Sequence, residues 1–246
     1  MASFLLNFDH NLFCLINSHH SAFWDTFFTA VSWLGSGWVV TPILIGIALL
    51  MIPRKKLKTP AASCGESSIP MERKHTYSRS LTPEQAPGNA LAVGFLAFFI
   101  FAAAGFIVSS TINTQIKNAT HRARPIGYFV THRTYCPEAN NGIYTVHVVG
   151  EPLATRSFPS GHTNTAFCAA CVLAFFFGGW YWLAFAPAFL VAYSRVYMGV
   201  HFPLDIAVGG LLGIIVIALA YIAYKNYGAI VQNKVIPFLT NLFSFK

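Results

Sequence analysis

Three short stretches of the chain hold the residues that can do chemistry. They are Lys117-Asn-Ala-Thr-His-Arg-Ala-Arg124-Pro125, Phe158-Pro159-Ser160-Gly161-His162-Thr163, and Ser194-Arg195-Val-Tyr-Met-Gly-Val-His201-Phe-Pro-Leu-Asp205. Between them they offer Lys117, Arg124 and Arg195 as cations, His162 and His201 as imidazoles, and Asp205 as a carboxylate. Cations of this kind suit the equatorial oxygens of a phosphoryl group, and Arg adds a bidentate fork. The middle stretch reads as a helix start: Pro159 sets the turn, Ser160 caps, and Gly161 permits close backbone approach. Free N–H groups and the positive dipole end at such a start suit an anion. His201 and Asp205 stand four apart, and Pro203 fits an early helical turn, so imidazole and carboxylate are expected on one helix face. Lys117 and Arg124, seven apart, are likewise expected to share a face of a helix that Pro125 ends.

The chemistry that these groups fit is phosphoryl transfer. The nucleophile should be the imidazole whose second nitrogen is fixed by a carboxylate, which is His201 with Asp205. His162 then protonates the leaving oxygen. Lys117, Arg124 and Arg195 hold the phosphate, and the Ser160 hydroxyl with the backbone N–H groups of Ser160 and Gly161 adds donors. Each feature also has an ordinary reading. Cations at the ends of apolar segments commonly orient a span or snorkel, and an isolated interfacial histidine is commonly structural. The joint pattern outweighs these, because ionisable groups beside membrane spans are expensive and functional by default.

The elements that must position these groups are membrane helices. Hydrophobic residues make up 55% of the chain and charged ones only 10%, with a mean hydropathy of +0.54. Soluble domains carry about 25% charged residues. The 246 residues read as a single membrane domain, an all-α polytopic bundle. Residues 1–21, apolar but broken by polar residues, predict an interfacial amphipathic helix, with a poor first span as the alternative. No basic residue precedes them, which argues against a cleavable leader. Residues 26–52 form the first span, interrupted or tilted at Gly35-Ser-Gly37. Residues 53–88 hold seven of the 16 basic residues and predict a cytoplasmic loop with little fixed structure.

Spans follow at 89–111, 162–177, from the Gly178-Gly179 turn to 197, and at 203–224. Gly209, Gly210 and Gly213 in the last permit close helix packing. The count is about five spans, with a sixth if residues 1–21 cross. It puts segment 112–161 and the turn at 198–202 on one outer face. No internal repeat is evident.

The net charge of +8 comes from 16 Lys/Arg against 8 Asp/Glu. Joined to apolar spans it fits membrane orientation and acidic headgroups rather than nucleic acid. Cys14, Cys64, Cys136, Cys168 and Cys171 show no metal-type clustering, and the last two read as small buried thiols. The acidic residues expected on the site's side near the clusters are Glu138, Glu151 and Asp205. A two-metal phosphatase needs several free carboxylates at one place, so neither metal nor other cofactor is expected.

Lys-x6-Arg-Pro (117–125), Pro-Ser-Gly-His (159–162) and Ser-Arg-x5-His-x3-Asp (194–205) match, complete and in order, the three-part signature of the type 2 phosphatidic acid phosphatase (PAP2) superfamily. The chain therefore resembles its membrane-bound lipid phosphatases. The resemblance implies an all-helical membrane core with His201 as nucleophile, His162 as acid and Asp205 as its orienter. It implies Lys117, Arg124, Arg195, Ser160 and Gly161 on the phosphate. The signature covers residues 117–205. Departures lie at the periphery, where many members have six spans and residues 53–88 are longer than a compact connection.

The predicted partner is a lipid phosphate at the outer face, with polyprenyl diphosphate or lipid A 1-phosphate ahead of phosphatidylglycerol phosphate and phosphatidic acid. His121, Arg122, Arg133 and Arg156 add charge that suits a diphosphate, or that is simply solvated. The expected place is a bacterial inner membrane with the site on its periplasmic face. Oligomeric state is open. Alternatives are a lipid phosphotransferase using the same phosphohistidine, a non-enzymatic anion permease, and vanadate-dependent oxidation as in the related soluble peroxidases. The spans argue against the last.

Overall fold

The computed structural model describes residues 2–51, 87–134, 136–137, 143–144 and 146–235. Most of the basic loop predicted at 53–88 therefore lies outside the described residues, as does Glu138. The described chain is helical, with helices α1 (Ala2–Asn17), α2 (Ala22–Trp33), α3 (Gly37–Met51), α4 (Pro87–Thr120), α5 (Pro125–His132), α6 (Gly161–Phe177), α7 (Phe185–Tyr197) and α8 (Pro203–Ile230). A 3-10 turn over Gly179–Ala184 leads into α7, and Val231–Val235 close α8 as a π-helical turn. The non-helical exception is a two-residue antiparallel ladder, β1 (Cys136–Pro137) with β2 (Ile143–Tyr144), pairing Cys136 with Tyr144.

Helix α6 is the centre of the bundle and packs against α8, α4, α7 and α3. Its sequence explains this: apolar or small residues surround the axis, and buried positions run from Thr163 to Ala174 on all sides. Helix α8 lies closest to it because it presents glycines there. A Cβ at Gly209 would stand 2.5 Å from the Ser160 carbonyl oxygen, and one at Gly213 would stand 2.8 Å from the Asn164 carbonyl. The small-residue stripe foreseen in α8 thus brings two backbones together, as in membrane helix packing.

Two helical runs, Leu96–His132 and Pro203–Val235, are long and apolar enough to cross a membrane. At 1.5 Å per residue the 28 residues of α8 extend about 42 Å, beyond the roughly 30 Å of a hydrocarbon core. Helices α2 and α3 together make a third such run, bent by 59° between them. The bend falls at Leu34–Ser36, the interruption expected around Gly35. Ser21 caps the start of α2 by accepting the Trp24 N–H. The chain is an integral membrane protein, and bulky apolar side chains such as Phe189, Leu211 and Leu219 project from its helices.

The polar connections gather at one end of the bundle. Val149 N–H donates to the Met198 carbonyl (3.1 Å), Arg124 N–H to Ala154 (2.9 Å) and Ser157 N–H to Arg122 (2.9 Å). Segment 149–157 is thereby laced by main-chain bonds to the first and third signature stretches. Helix α1 lies across this end. Its residues Asp9, Phe13 and Asn17, four apart, are buried, while Phe4, Leu5, Phe8 and Leu15 are exposed. The helix expected over 1–21 forms as an amphipathic one. Asn17 Nδ2 donates to the carbonyls of His147 (2.9 Å) and Tyr197 (2.8 Å), and a Cys14–Cys136 disulfide ties α1 to the small ladder. The sequence reading of the cysteines did not foresee this pair. Cys168 and Cys171 are free and buried, as expected.

Candidate active site

Asp205 is the most heavily engaged side chain of the site. It is fully buried at the third position of α8, where its Oδ2 accepts the Phe202 N–H (2.8 Å) and closes the helix start. The Ser157 hydroxyl also donates to Oδ2 in a short bond. Oδ1 accepts Arg122 Nη1 at 2.6 Å. His201, 2% exposed, sets its Nδ1 3.6 Å from Asp205 Oδ2 and 3.4 Å from Ser157 Oγ. Ser157 thus stands between the two. The predicted pair meets, but not on one face of a helix. His201 precedes α8, in the turn Met198–Phe202, because Pro203 has no N–H to extend the helix backwards and sits at its first turn instead. The main-chain N–H groups of Val200 and His201 both donate to the Arg195 carbonyl (3.2 Å each), which closes that turn onto the end of α7.

The environment of His201 sets its charge. Burial pushes the imidazole down to about 4, Asp205 pulls upward, and Arg124 and Arg195 press downward again. With Nδ1 directed to the Ser157–Asp205 pair, Nε2 is the ring nitrogen turned away from that pair.

Arg124 and Arg195 hold the other side. Arg124 is buried, with Nε donating to the Thr155 carbonyl (3.0 Å) and Nη1 to Val200 (3.3 Å). Arg195, in the last turn of α7, gives Nη1 to Ser32 of α2 in a short bond. Its Nε is buried and has no hydrogen-bond partner among the described residues. With His162 these arginines line a cavity of about 390 Å³, walled also by Ser32, Glu151 and Val200. His201 itself is not in the wall; its neighbour Val200 is. The α2–α3 corner presses on His162, since a Cβ at Gly35 would meet the His162 carbonyl at 2.9 Å and its Cβ at 3.0 Å.

Lys117 and Arg124 do not share a helix face, contrary to the sequence expectation. Helix α4 ends at Thr120, with His121 at φ 46°, and Pro125 opens α5 rather than ending a helix. The cause is local. The residue before a proline is driven into extended backbone, and Arg124 accordingly has φ −76° and ψ 164°. Lys117, in the last turn of α4 and half-buried, still lies close enough to interact electrostatically with Arg124, Arg195 and Asp205.

At the start of α6 the Ser160 N–H donates to the Asp205 carbonyl (2.9 Å), and Ser160 Oγ accepts from Thr163 (3.0 Å). The expectation that the Ser160 N–H is a phosphate donor is therefore corrected: the main chain of α8 already occupies it, because the glycine stripe brings that backbone so near. The N–H groups of Gly161, His162 and Thr163 precede the first intrahelical bond, which Asn164 N–H gives to the Ser160 carbonyl, and keep the anion-binding character of a helix start.

Other groups reach the site unforeseen. Arg122 was read as a cation for substrate or as solvated charge. It is an internal bridge, with Nη2 2.5 Å from Asp9 Oδ2, Nη1 on Asp205, and its guanidinium 4.7 Å over the Phe202 ring. Asp9 completes the link by accepting the Leu204 N–H (2.7 Å). Asp9 was not counted among the carboxylates near the site; a lone buried acid in an apolar helix was the available signal. Asn113, one turn before Lys117 on α4, is buried against Gly161, and its Nδ2 has no partner among the described residues. Arg156 bonds Asn118, while His121 and Arg133 are exposed. Among the described residues no three His, Cys, Asp or Glu side chains group as ligands for a metal ion.

Comparison with known proteins follows this geometry. Over 86 residues, 34% of its length, the chain is 40% identical to the bacitracin transport permease protein BcrC of Bacillus licheniformis. Over 65 residues, 26% of its length, it is 48% identical to an undecaprenyl-diphosphatase of Sulfolobus acidocaldarius. These matches span 40% and 32% of the two relatives. The structure is similar to LpxE of Aquifex aeolicus, with TM-score 0.52 and 27% identity over 85% of this chain and 92% of that one. It also shares its fold with a PAP2-type phosphatidylglycerolphosphate phosphatase of Bacillus subtilis, with TM-score 0.54 and 17% identity over 94% and 89% of the two chains. The PAP2 superfamily model matches residues 93–229, more than half of the chain and all three signature stretches. The chain belongs to the PAP2 superfamily.

Proposed function

We propose that this protein is a membrane lipid phosphatase that hydrolyses a polyprenyl diphosphate through a phosphohistidine. One observation carries the reading. A buried, neutral His201 is backed by a carboxylate on Nδ1, and beside it lies a cavity lined by His162, Arg124 and Arg195, with the Arg195 Nε buried and unpaired. Phosphate oxygens supply the acceptor that this donor lacks.

In the first step His201 Nε2 forms a bond to phosphorus as the bond to the leaving oxygen breaks, and His162, which takes up a proton as the phosphate anion binds beside it, gives that proton to the leaving oxygen. Lys117, Arg124 and Arg195 stabilise the equatorial charge, with the Gly161 N–H and the Ser160 hydroxyl. Asp205 and Ser157 hold the imidazole and offset the positive charge that it gains. Water then attacks the phosphohistidine, with His162 taking its proton, and inorganic phosphate leaves. The undecaprenyl-diphosphatase likeness favours a diphosphate as substrate. The LpxE likeness keeps lipid A 1-phosphate, phosphatidylglycerol phosphate and phosphatidic acid as comparison substrates.

A reading of about five spans supports a signature on the outer face of a bacterial inner membrane. The Cys14–Cys136 disulfide supports that side, since such bonds persist in oxidising compartments. Reporter fusions within 53–88 and near residue 140 test it, and an outer location for 53–88 would reverse the assignment.

The purified protein in detergent should release phosphate from polyprenyl diphosphate faster than from the three comparison lipids. It should do so in the presence of chelator and be inhibited by vanadate, which adopts the pentacoordinate geometry of the transition state. No release from any of the four lipids would overturn the reading. A requirement for an acceptor lipid would favour phosphotransfer instead.

A further inference from the structure

We infer that Asp9 and Arg122 are positioning residues for the nucleophile, so that helix α1, outside the matched family region, is part of the catalytic machinery. Arg122 spans two buried carboxylates, at 2.5 Å to Asp9 and 2.6 Å to Asp205, and its guanidinium covers the Phe202 ring. Asp9 takes the Leu204 N–H at 2.7 Å and Asp205 takes the Phe202 N–H at 2.8 Å. The two carboxylates therefore grip both main-chain donors flanking Pro203. That is the hinge between the loop bearing His201 and the helix bearing Asp205. Through Arg122, the position of α1 fixes the one carboxylate that orients the imidazole.

The arrangement also sets charge. Asp205 serves His201 and Arg122 together, so its pull on the imidazole proton is shared with a guanidinium. Asp9 returns part of that charge by pairing with Arg122 from the far side. Removing Asp9 leaves Arg122 unbalanced beside Asp205 and makes His201 harder to protonate. Removing the charge of Arg122 leaves the Asp205 charge uncompensated beside His201 and makes His201 easier to protonate. The two neutralising changes thus push His201 in opposite directions. The other charged or titratable groups facing His201 are His162 of α6, Arg195 of α7 and Arg124 ahead of α5. Lys117 of α4 faces Asp205, and His10 of α1 lies tilted against Phe202 at 4.9 Å. His10 senses both Asp9 and Arg122, so the variants are compared in a His10→Gln background, where the difference between them isolates the relay.

The relay presupposes the phosphatase reading, and the two fail separately: phosphate release by the wild-type protein tests the reading, and the variants test the relay. The experiment compares Asp9→Asn and Arg122→Gln, each in the His10→Gln parent, in detergent on polyprenyl diphosphate, with Arg122→Lys as the conservative partner. Asp9→Asn should lower kcat by ~10- to 100-fold with KM within about twofold, as expected when an attacking group is misplaced while substrate contacts stay. The acid limb of kcat/KM should move down for Asp9→Asn and up for Arg122→Gln, each by ~0.5 unit or more. Arg122→Lys should recover part of kcat and return the limb toward its place in the His10→Gln parent.

Limbs that move in the same direction, or stay fixed while melting temperature falls, would make the pair structural and overturn the proposal. So would the parent's kcat in Asp9→Asn. If Arg122→Gln does not fold, the downward shift in Asp9→Asn with Arg122→Lys unshifted still supports the relay, and an unshifted Asp9→Asn still sinks it.

Discussion

The two sides of His201 are built by opposite rules. Behind it, every polar group has partners: Asp205 takes Arg122, Ser157 and the Phe202 N–H, and Arg122 also takes Asp9. In front of it buried donors are left over: Arg195 Nε, of a cavity-lining residue, and Asn113 Nδ2, beside Gly161 at the start of α6, are the two such side-chain atoms without partners among the described residues. A satisfied network in a low-dielectric site is rigid, whereas an unsatisfied donor costs stability until a ligand arrives. The back of the site fixes geometry, and the front retains binding capacity.

Removing the proposed nucleophile should erase the contrast. His201→Ala is expected to lower phosphate release by ~10⁴-fold or more, to background, while the protein still inserts and elutes as a folded species. Retained turnover would assign the attack elsewhere. Next in size is the front. Arg195→Lys keeps the charge but loses the guanidinium fork that reaches both Ser32 and the cavity, so kcat/KM should fall by ~10²-fold. A loss below threefold would show that charge alone suffices there.

Asn113→Leu is sharper still, because it separates binding from stability. Removing a buried unpaired amide should leave the melting temperature unchanged or raise it, while kcat/KM falls by ~10-fold. A lower melting temperature would show that the amide is satisfied within the fold and belongs to the back side's rule.

The smallest effect concerns pH. His201 stays neutral until its pKa of about 4, so attack should remain available through mildly acid buffer and fail only as pH drops through that value. The stability sign follows: below 6.5 the unfolded imidazole takes a proton that the folded one refuses, so stability rises with pH between about 4 and 6.5. Thermal melts across that range check it, and a flat profile would mean that His201 is less enclosed than its surroundings indicate.

The sequence determined the parts list of the site. Lys117, Arg124, His162, Arg195, His201 and Asp205 stood in three legible clusters, because ionisable groups at span ends stand out where charge is otherwise rare. It also determined that the chain is a helical membrane protein and that α8 packs by its glycines, since hydropathy and small-residue spacing are local properties. Only the tertiary structure decided how the parts meet. Pro125 and Pro203 each open a helix, and local backbone constraint moves Arg124 and His201 off the faces that their spacing suggested. The Ser160 N–H is taken by the Asp205 carbonyl because two backbones cross at glycine. Asp9 reaches Arg122 across 113 positions of chain, and Cys14 reaches Cys136 across 122. Contacts of that separation depend on how helices pack in three dimensions, and no spacing along the sequence encodes them.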